Sequence, residues 1–122
     1  MKKVVIVDRS SAFLKLMEII IARLGYGTSS VDGTEECLRV MRGEGSDLVL
    51  TEMKLADGTG PELCRTIRED PALAEIPVVI ITTEGRENDR EQGMALGAHA
   101  YIPKPIQTPD LLKTVKGLLS IP

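Results

Sequence analysis

Three charged residues stand at the ends of three apolar runs, and their types suit one shared pocket. Asp8 closes Val4-Val-Ile-Val-Asp8, Glu52 closes Leu48-Val-Leu-Thr-Glu52, and Lys104 follows Ala100-Tyr-Ile-Pro. Each run has the length and β-branched content of a buried strand. In open α/β sheets the C-terminal strand ends converge on one edge, where such folds keep their chemistry. Two carboxylates there suit a hard cation, and a lysine among them suits a salt-bridge cluster instead. Arg9, directly after Asp8, decides the balance: the charges of Asp8, Arg9, Glu52 and Lys104 cancel.

The elements that must position these residues follow from hydrophobic spacing. Short apolar runs alternate five times with longer amphipathic segments. Val4–Val7 is the first strand; Ser10 or Ser11 caps a helix running through Leu24, which Gly25 ends. Tyr26–Val31 is a polar strand suited to an edge. A helix after Asp32-Gly-Thr-Glu turns Leu38 and Met41 inward and stops near Gly43–Gly45, and Leu48–Thr51 is apolar enough for a central strand. Pro61 opens a helix containing Leu63, Cys64 and Ile67. Pro77–Thr82 is the fourth strand, followed by a polar helix from Arg86 to Leu96 ended by Gly97. Ala100–Ile102 is the fifth, and Thr108-Pro109-Asp110 opens a last helix with Leu111, Leu112, Val115, Leu118 and Leu119 inward. Strict strand–helix alternation implies a parallel sheet covered on both faces.

Composition narrows the function classes. At 122 residues and 43% hydrophobic, the chain is one domain, residues 1–122, able to bury roughly two-thirds of its unfolded surface. A net charge of -3 argues against a nucleic-acid partner. No apolar stretch is long enough to span a bilayer, and Met1-Lys-Lys leads straight into a strand, so a cytoplasmic protein is expected. Cys37 and Cys64 match no metal spacing and read as small core or near-surface residues of a reducing compartment. His99, the one histidine, reads as structural. Phe13, Tyr26 and Tyr101 are the whole aromatic set, leaving little stacking surface for a flavin or base.

End to end, the chain resembles the receiver domain of bacterial two-component response regulators. The matching stretches are Val4-Val-Ile-Val-Asp8-Arg9-Ser10, Leu48-Val-Leu-Thr-Glu52, Gly60-Pro-Glu-Leu63, Val78-Val-Ile-Ile-Thr82-Thr83, Gly97-Ala98 and Tyr101-Ile-Pro-Lys104-Pro105. The resemblance implies a flavodoxin-like (βα)5 three-layer sandwich with a five-stranded parallel sheet in order 2-1-3-4-5. It implies two adjacent acids and an acceptor aspartate that hold Mg²⁺, a phosphate donated by a histidine kinase, and a hydroxyl and a lysine that grip the phosphoryl oxygens. It also implies an inward-turning aromatic that alters the face made by helix 4, strand 5 and helix 5. Asp8 is the first acid by this match, Thr82 the hydroxyl, Tyr101 the aromatic and Lys104 the lysine, with a cis Lys104–Pro105 peptide aiming it inward. Partners would be a histidine kinase or other signalling proteins on that face, with the chain a monomer or weak homodimer.

Two positions depart from the pattern. Arg9 stands at the second acid and Glu52 at the acceptor; Lys54, whose carbonyl would face the metal, is also unusual. Mg²⁺ demands hard oxygen ligands in octahedral geometry, so exchanging an acid for a cation should cripple its site. The expectation is that the Arg9 guanidinium sits in the metal's place, paired with Glu52 or Asp8; such a pair at ~4 Å has a raw Coulomb attraction of about 4 kcal/mol before desolvation. Glutamate carries its carboxylate one methylene further than aspartate, and a misplacement of about 1 Å costs on the order of a hundredfold in a positioned reaction. Asp57 lies in the loop beyond the strand and does not inherit the acceptor role. These residues describe an atypical receiver, binding proteins without phosphorylation and without enzymatic turnover. A slowly phosphorylated ordinary receiver is the alternative. A small flavin or nucleotide enzyme would need a glycine-rich loop, and Asp8-Arg-Ser-Ser-Ala-Phe13 contains no glycine.

Overall fold

A computed structural model describes residues 1–84 and 86–120, so the last two residues of the predicted 1–122 unit lie outside the described part. The elements are β1 (Lys3–Val7), α1 (Ser11–Arg23), β2 (Gly27–Val31), α2 (Thr34–Glu44) and β3 (Leu48–Thr51). A hairpin of β4 (Lys54–Leu55) and β5 (Gly58–Thr59) follows, then α3 (Gly60–Glu69), β6 (Val78–Thr82), α4 (Glu87–Ala95), β7 (Ala100–Pro103) and α5 (Thr108–Leu119). The main sheet runs β2-β1-β3-β6-β7, all parallel. Without the small hairpin, that is the expected order 2-1-3-4-5, with β3 in the centre and the polar β2 at an edge.

Alternation along each strand splits the core in two. Val5, Val7, Val49, Val78 and Ile80 face α2 and α3, meeting Cys37, Met41, Leu63, Cys64 and Ile67. Val4, Ile6, Leu50, Val79 and Ile81 face the other way, against Met17 and Ile21 of α1 and Leu111, Val115 and Leu119 of α5. Both cysteines are free and buried, and burial pushes the Cys37 thiol up to about 12, so it packs as a small apolar group.

Three details refine the sequence reading, although Leu38 and Leu118 do pack against the core as expected. Cys37, Val40 and Met41 form the buried stripe of α2, whereas Leu38 is only half-buried. On α5, Leu112 and Leu118 are also half-buried, because an amphipathic helix buries one narrow stripe and they flank it. The β4–β5 hairpin was not legible, since two-residue strands carry no alternation to read.

Candidate functional site

Parallel strands deliver the predicted residues to one edge. Lys104 Nζ lies 2.8 Å from Asp8 Oδ2 and 2.9 Å from Glu52 Oε2, bridging the two acids. The remaining carboxylate oxygens also have donors: the Ser10 N–H reaches Asp8 Oδ1 at 2.8 Å, and the Met53 N–H reaches Glu52 Oε1. Beside the ammonium, the Phe13 ring centroid is 3.9 Å from Nζ. The side chains of Asp8, Glu52 and Lys104 are only 5%, 15% and 15% exposed. Burial alone would lower the Lys104 pKa, but its hydrogen bonds and charge contacts with Asp8 and Glu52 prevail and raise it. The Lys104–Pro105 peptide is cis, as expected.

Local structure holds this cluster in register. Ser10 is the N-cap of α1, its Oγ accepting the Phe13 N–H at 3.2 Å, so one turn places both Asp8 and the ring. On the opposite side, Thr59 caps α3 by accepting the Glu62 N–H at 3.2 Å. Gly60 begins that helix so close to the site that a Cβ would lie 2.6 Å from the Glu52 carbonyl oxygen. Only glycine permits this approach.

Arg9 departs from expectation. Its side chain is exposed, and among the described residues it makes no ion pair with Glu52 or Asp8. Arg9 lines the same cleft as the two acids, with its side chain open to solvent. Lys104 already fills the space between the acids. Lys54 is exposed, with Nζ 3.4 Å from Glu84 Oε1. Thr82 is fully buried and its Oγ1 accepts the Glu84 N–H at 3.1 Å.

Tyr101 is half-buried against the α2–α3 side of the core and donates its hydroxyl to the Glu84 carbonyl. Burial, with the acids Asp89, Glu84 and Glu52 nearby, raises the phenol's pKa, so it stays neutral. Asp57 is occupied elsewhere, accepting the N–H groups of Thr34 at 2.6 Å and Glu35 at 3.1 Å to cap α2. His99 Nδ1 lies 3.1 Å from Arg68 Nη2, and the same guanidinium donates to the carbonyls of Gly97, Ala74 and Ile76, which suits a structural histidine.

Asp8, Arg9, Ser10, Glu52, Lys54, Thr83, Glu84 and Lys104 line a cleft of about 330 Å³. Phe13, Thr83, Glu84 and the Ser10 and Met53 amides escaped the sequence reading. The available signal for Phe13 was its place in the first turn after a serine cap. Mg²⁺ takes free hard oxygens, usually with several waters. Here an arginine replaces one acid, every oxygen of Asp8 and Glu52 holds a donor, and no three His, Cys, Asp or Glu among the described residues are disposed around one point. This donor set does not fit Mg²⁺.

Residues 4–116 match the response regulator receiver domain family, and a five-stranded parallel sheet with its reactive edge at the strand ends is that family's architecture. The chain belongs to this family, which works in two-component signalling alongside histidine kinases and other signalling partners. It is 32% identical to the polar-differentiation response regulator DivK of Brucella ovis, over 97% of this chain and 96% of DivK. With the phosphate regulon transcriptional regulatory protein PhoB of Rhizobium meliloti it shares 29% identity over 96% of this chain and 52% of PhoB, so it spans about half the length of that relative. The chemotaxis response regulator CheY4 of Vibrio cholerae superposes with a TM-score of 0.89 at 25% identity, covering 98% of this chain and 99% of that one. A response regulator from Chloroflexus aurantiacus gives 0.93 at 24% identity, covering 98% of each chain, a likeness of fold. No helix among the described residues is long and apolar enough to cross a membrane.

Proposed function

We propose that this chain is an atypical receiver: a protein-binding module of two-component signalling whose output does not require phosphorylation or Mg²⁺. The observation that carries this reading is the Lys104 bridge between Asp8 and Glu52, in which no carboxylate oxygen remains without a donor. An acceptor must present a free oxygen in line with the incoming phosphorus, and the metal must neutralise the developing charge. Glu52 instead spends Oε1 on its own chain and Oε2 on the lysine. The cluster stands in for part of the charge pattern of a phosphorylated site, with one carboxylate in place of a phosphoryl group.

Tyr101 supports the second half of the proposal. Its hydroxyl already reaches the Glu84 carbonyl, the inward arrangement that the family ties to a changed output face. The partner surface in this reading is the face of α4, β7 and α5, held in one state. The test is incubation with acetyl phosphate and Mg²⁺ followed by intact-mass measurement. The expected result is an unmodified chain; a stoichiometric phosphoryl adduct on Glu52 would overturn the reading.

A further inference from the structure

The geometry points to a built ammonium site: we propose that Asp8, Glu52 and Phe13 form a cage selective for a primary alkylammonium group, filled in this chain by its own Lys104. The proposal rests on the reading of the pocket as a closed charge cluster and goes further, naming the chemistry that the cage recognises. An ammonium offers three donors, and it meets three surfaces here: one oxygen of each acid, at 2.8 and 2.9 Å, and the face of an aromatic ring at 3.9 Å. The ring is the chain's single phenylalanine, in a protein with three aromatic residues in all.

That third surface separates the cation classes. A ring face attracts a partly desolvated ammonium through its quadrupole. It offers no oxygen to an ion that wants six of them, and Mg²⁺ gives up water reluctantly. The two acids also lack the neighbouring carboxylate that would complete a divalent set, because Arg9 takes that position. Phe13 is therefore a positioning residue acting through Lys104. Together the three residues select a monovalent organic cation over a divalent metal.

Chemical rescue tests this. Lys104→Ala removes three methylenes and the nitrogen, the atoms of n-propylammonium, and leaves the cage vacant in the full chain. Thermal melting of this variant is followed against n-propylammonium chloride and against MgCl₂ at matched ionic strength. The expected result is a saturable rise in Tm with the amine at a midpoint about tenfold lower than with Mg²⁺, a preference lost when Phe13→Leu is added. Equal or better rescue by Mg²⁺, no response to the amine, or an undiminished preference in the double variant would overturn the cage.

Should Lys104→Ala fail to fold, the wild-type chain carries its own signature. The ε-methylene protons of Lys104 are expected upfield of those of the other lysines through the ring current, with the shift lost in Phe13→Leu and kept in Phe13→Tyr. Lys104 protons at ordinary lysine positions in the wild type would sink the proposal. The two readings fail separately: rescue by Mg²⁺ removes the cage and leaves the mass result standing, while a phosphoryl adduct on wild-type Glu52 leaves the ring-current signature in place.

Discussion

Lys104 is the residue on which the site's charge balance turns, because both acids contact its ammonium and no other cation (among the described residues) does. Removing one member of a buried ion pair leaves the rest uncompensated, so Lys104→Met should cost about 3 kcal/mol in urea unfolding. Arg9→Met changes an exposed side chain and should stay within about 0.5 kcal/mol. Equal costs would contradict the assignment. Restoring both family acids, as Arg9→Asp with Glu52→Asp, should produce Mg²⁺ binding by calorimetry, with none expected in the wild type. Asp8, Glu52 and Lys104 were legible because an apolar run ending in a charge marks where a strand meets solvent. The choice of cation was not: residue type names two candidate cations, and only the fold shows that Lys104 rather than Arg9 bridges the acids. Phe13 was hidden for a related reason, since a ring in the first turn of a helix looks like core until its neighbour across the sheet is known.

Among the elements, α3 and α4 make close approaches that a methyl group would crowd. Gly60→Ala sets a Cβ against the Glu52 carbonyl, a backbone atom that cannot swing aside, and should lower Tm while shifting the Met53 amide resonance. Gly93→Ala meets only the mobile end of Ile80, at 2.8 Å, and should be milder. A reversed order would contradict this ranking. Helix α4 buries Gly93 alone and has no side-chain N-cap, so its amides should exchange fastest of the five helices. Exchange slower than in α3 would refute that. Helix and strand existence followed from the 3.6- and two-residue periods, and end positions differed by about one residue. The Asp57 cap of α2 was illegible because it joins residues 23 apart in the chain.

Across the whole molecule, titration sets the pH range of stability. The Asp57 carboxyl is held low by the Glu35 and Thr34 amides, Asp70 by the Arg42 guanidinium and then the Ala72 amide, and Glu44 by Lys3. Their contribution is complete above the ordinary carboxylate pKa, about 4, and is lost as pH falls through the lower folded values. His99 is lowered by burial and then by Arg68, so the folded state resists its protonation and stability begins to fall below about pH 6.5. Lys104 is raised, so its contribution is complete below about pH 10.4 and is lost as pH rises through the higher folded value. The Cys37 and Cys64 thiols are raised by burial, so stability also begins to fall above the ordinary thiol pKa, about 8.5. Tm should therefore be flat from about pH 7 to 8 and fall on both sides; a rise on acidification from pH 7 to 5 would contradict the signs. The two-sided core was legible because the central parallel strands are apolar on both faces, whereas the sheet order came only from the family resemblance. Whether the cluster excludes phosphoryl chemistry decides how the receiver works. The most direct measurement is an amide NMR titration of the wild-type chain with Mg²⁺ and beryllofluoride, with the Arg9→Asp, Glu52→Asp variant as the responsive control. Unmoved resonances at Met53, Thr83 and Tyr101 are expected; saturable shifts there in the wild type would contradict that exclusion.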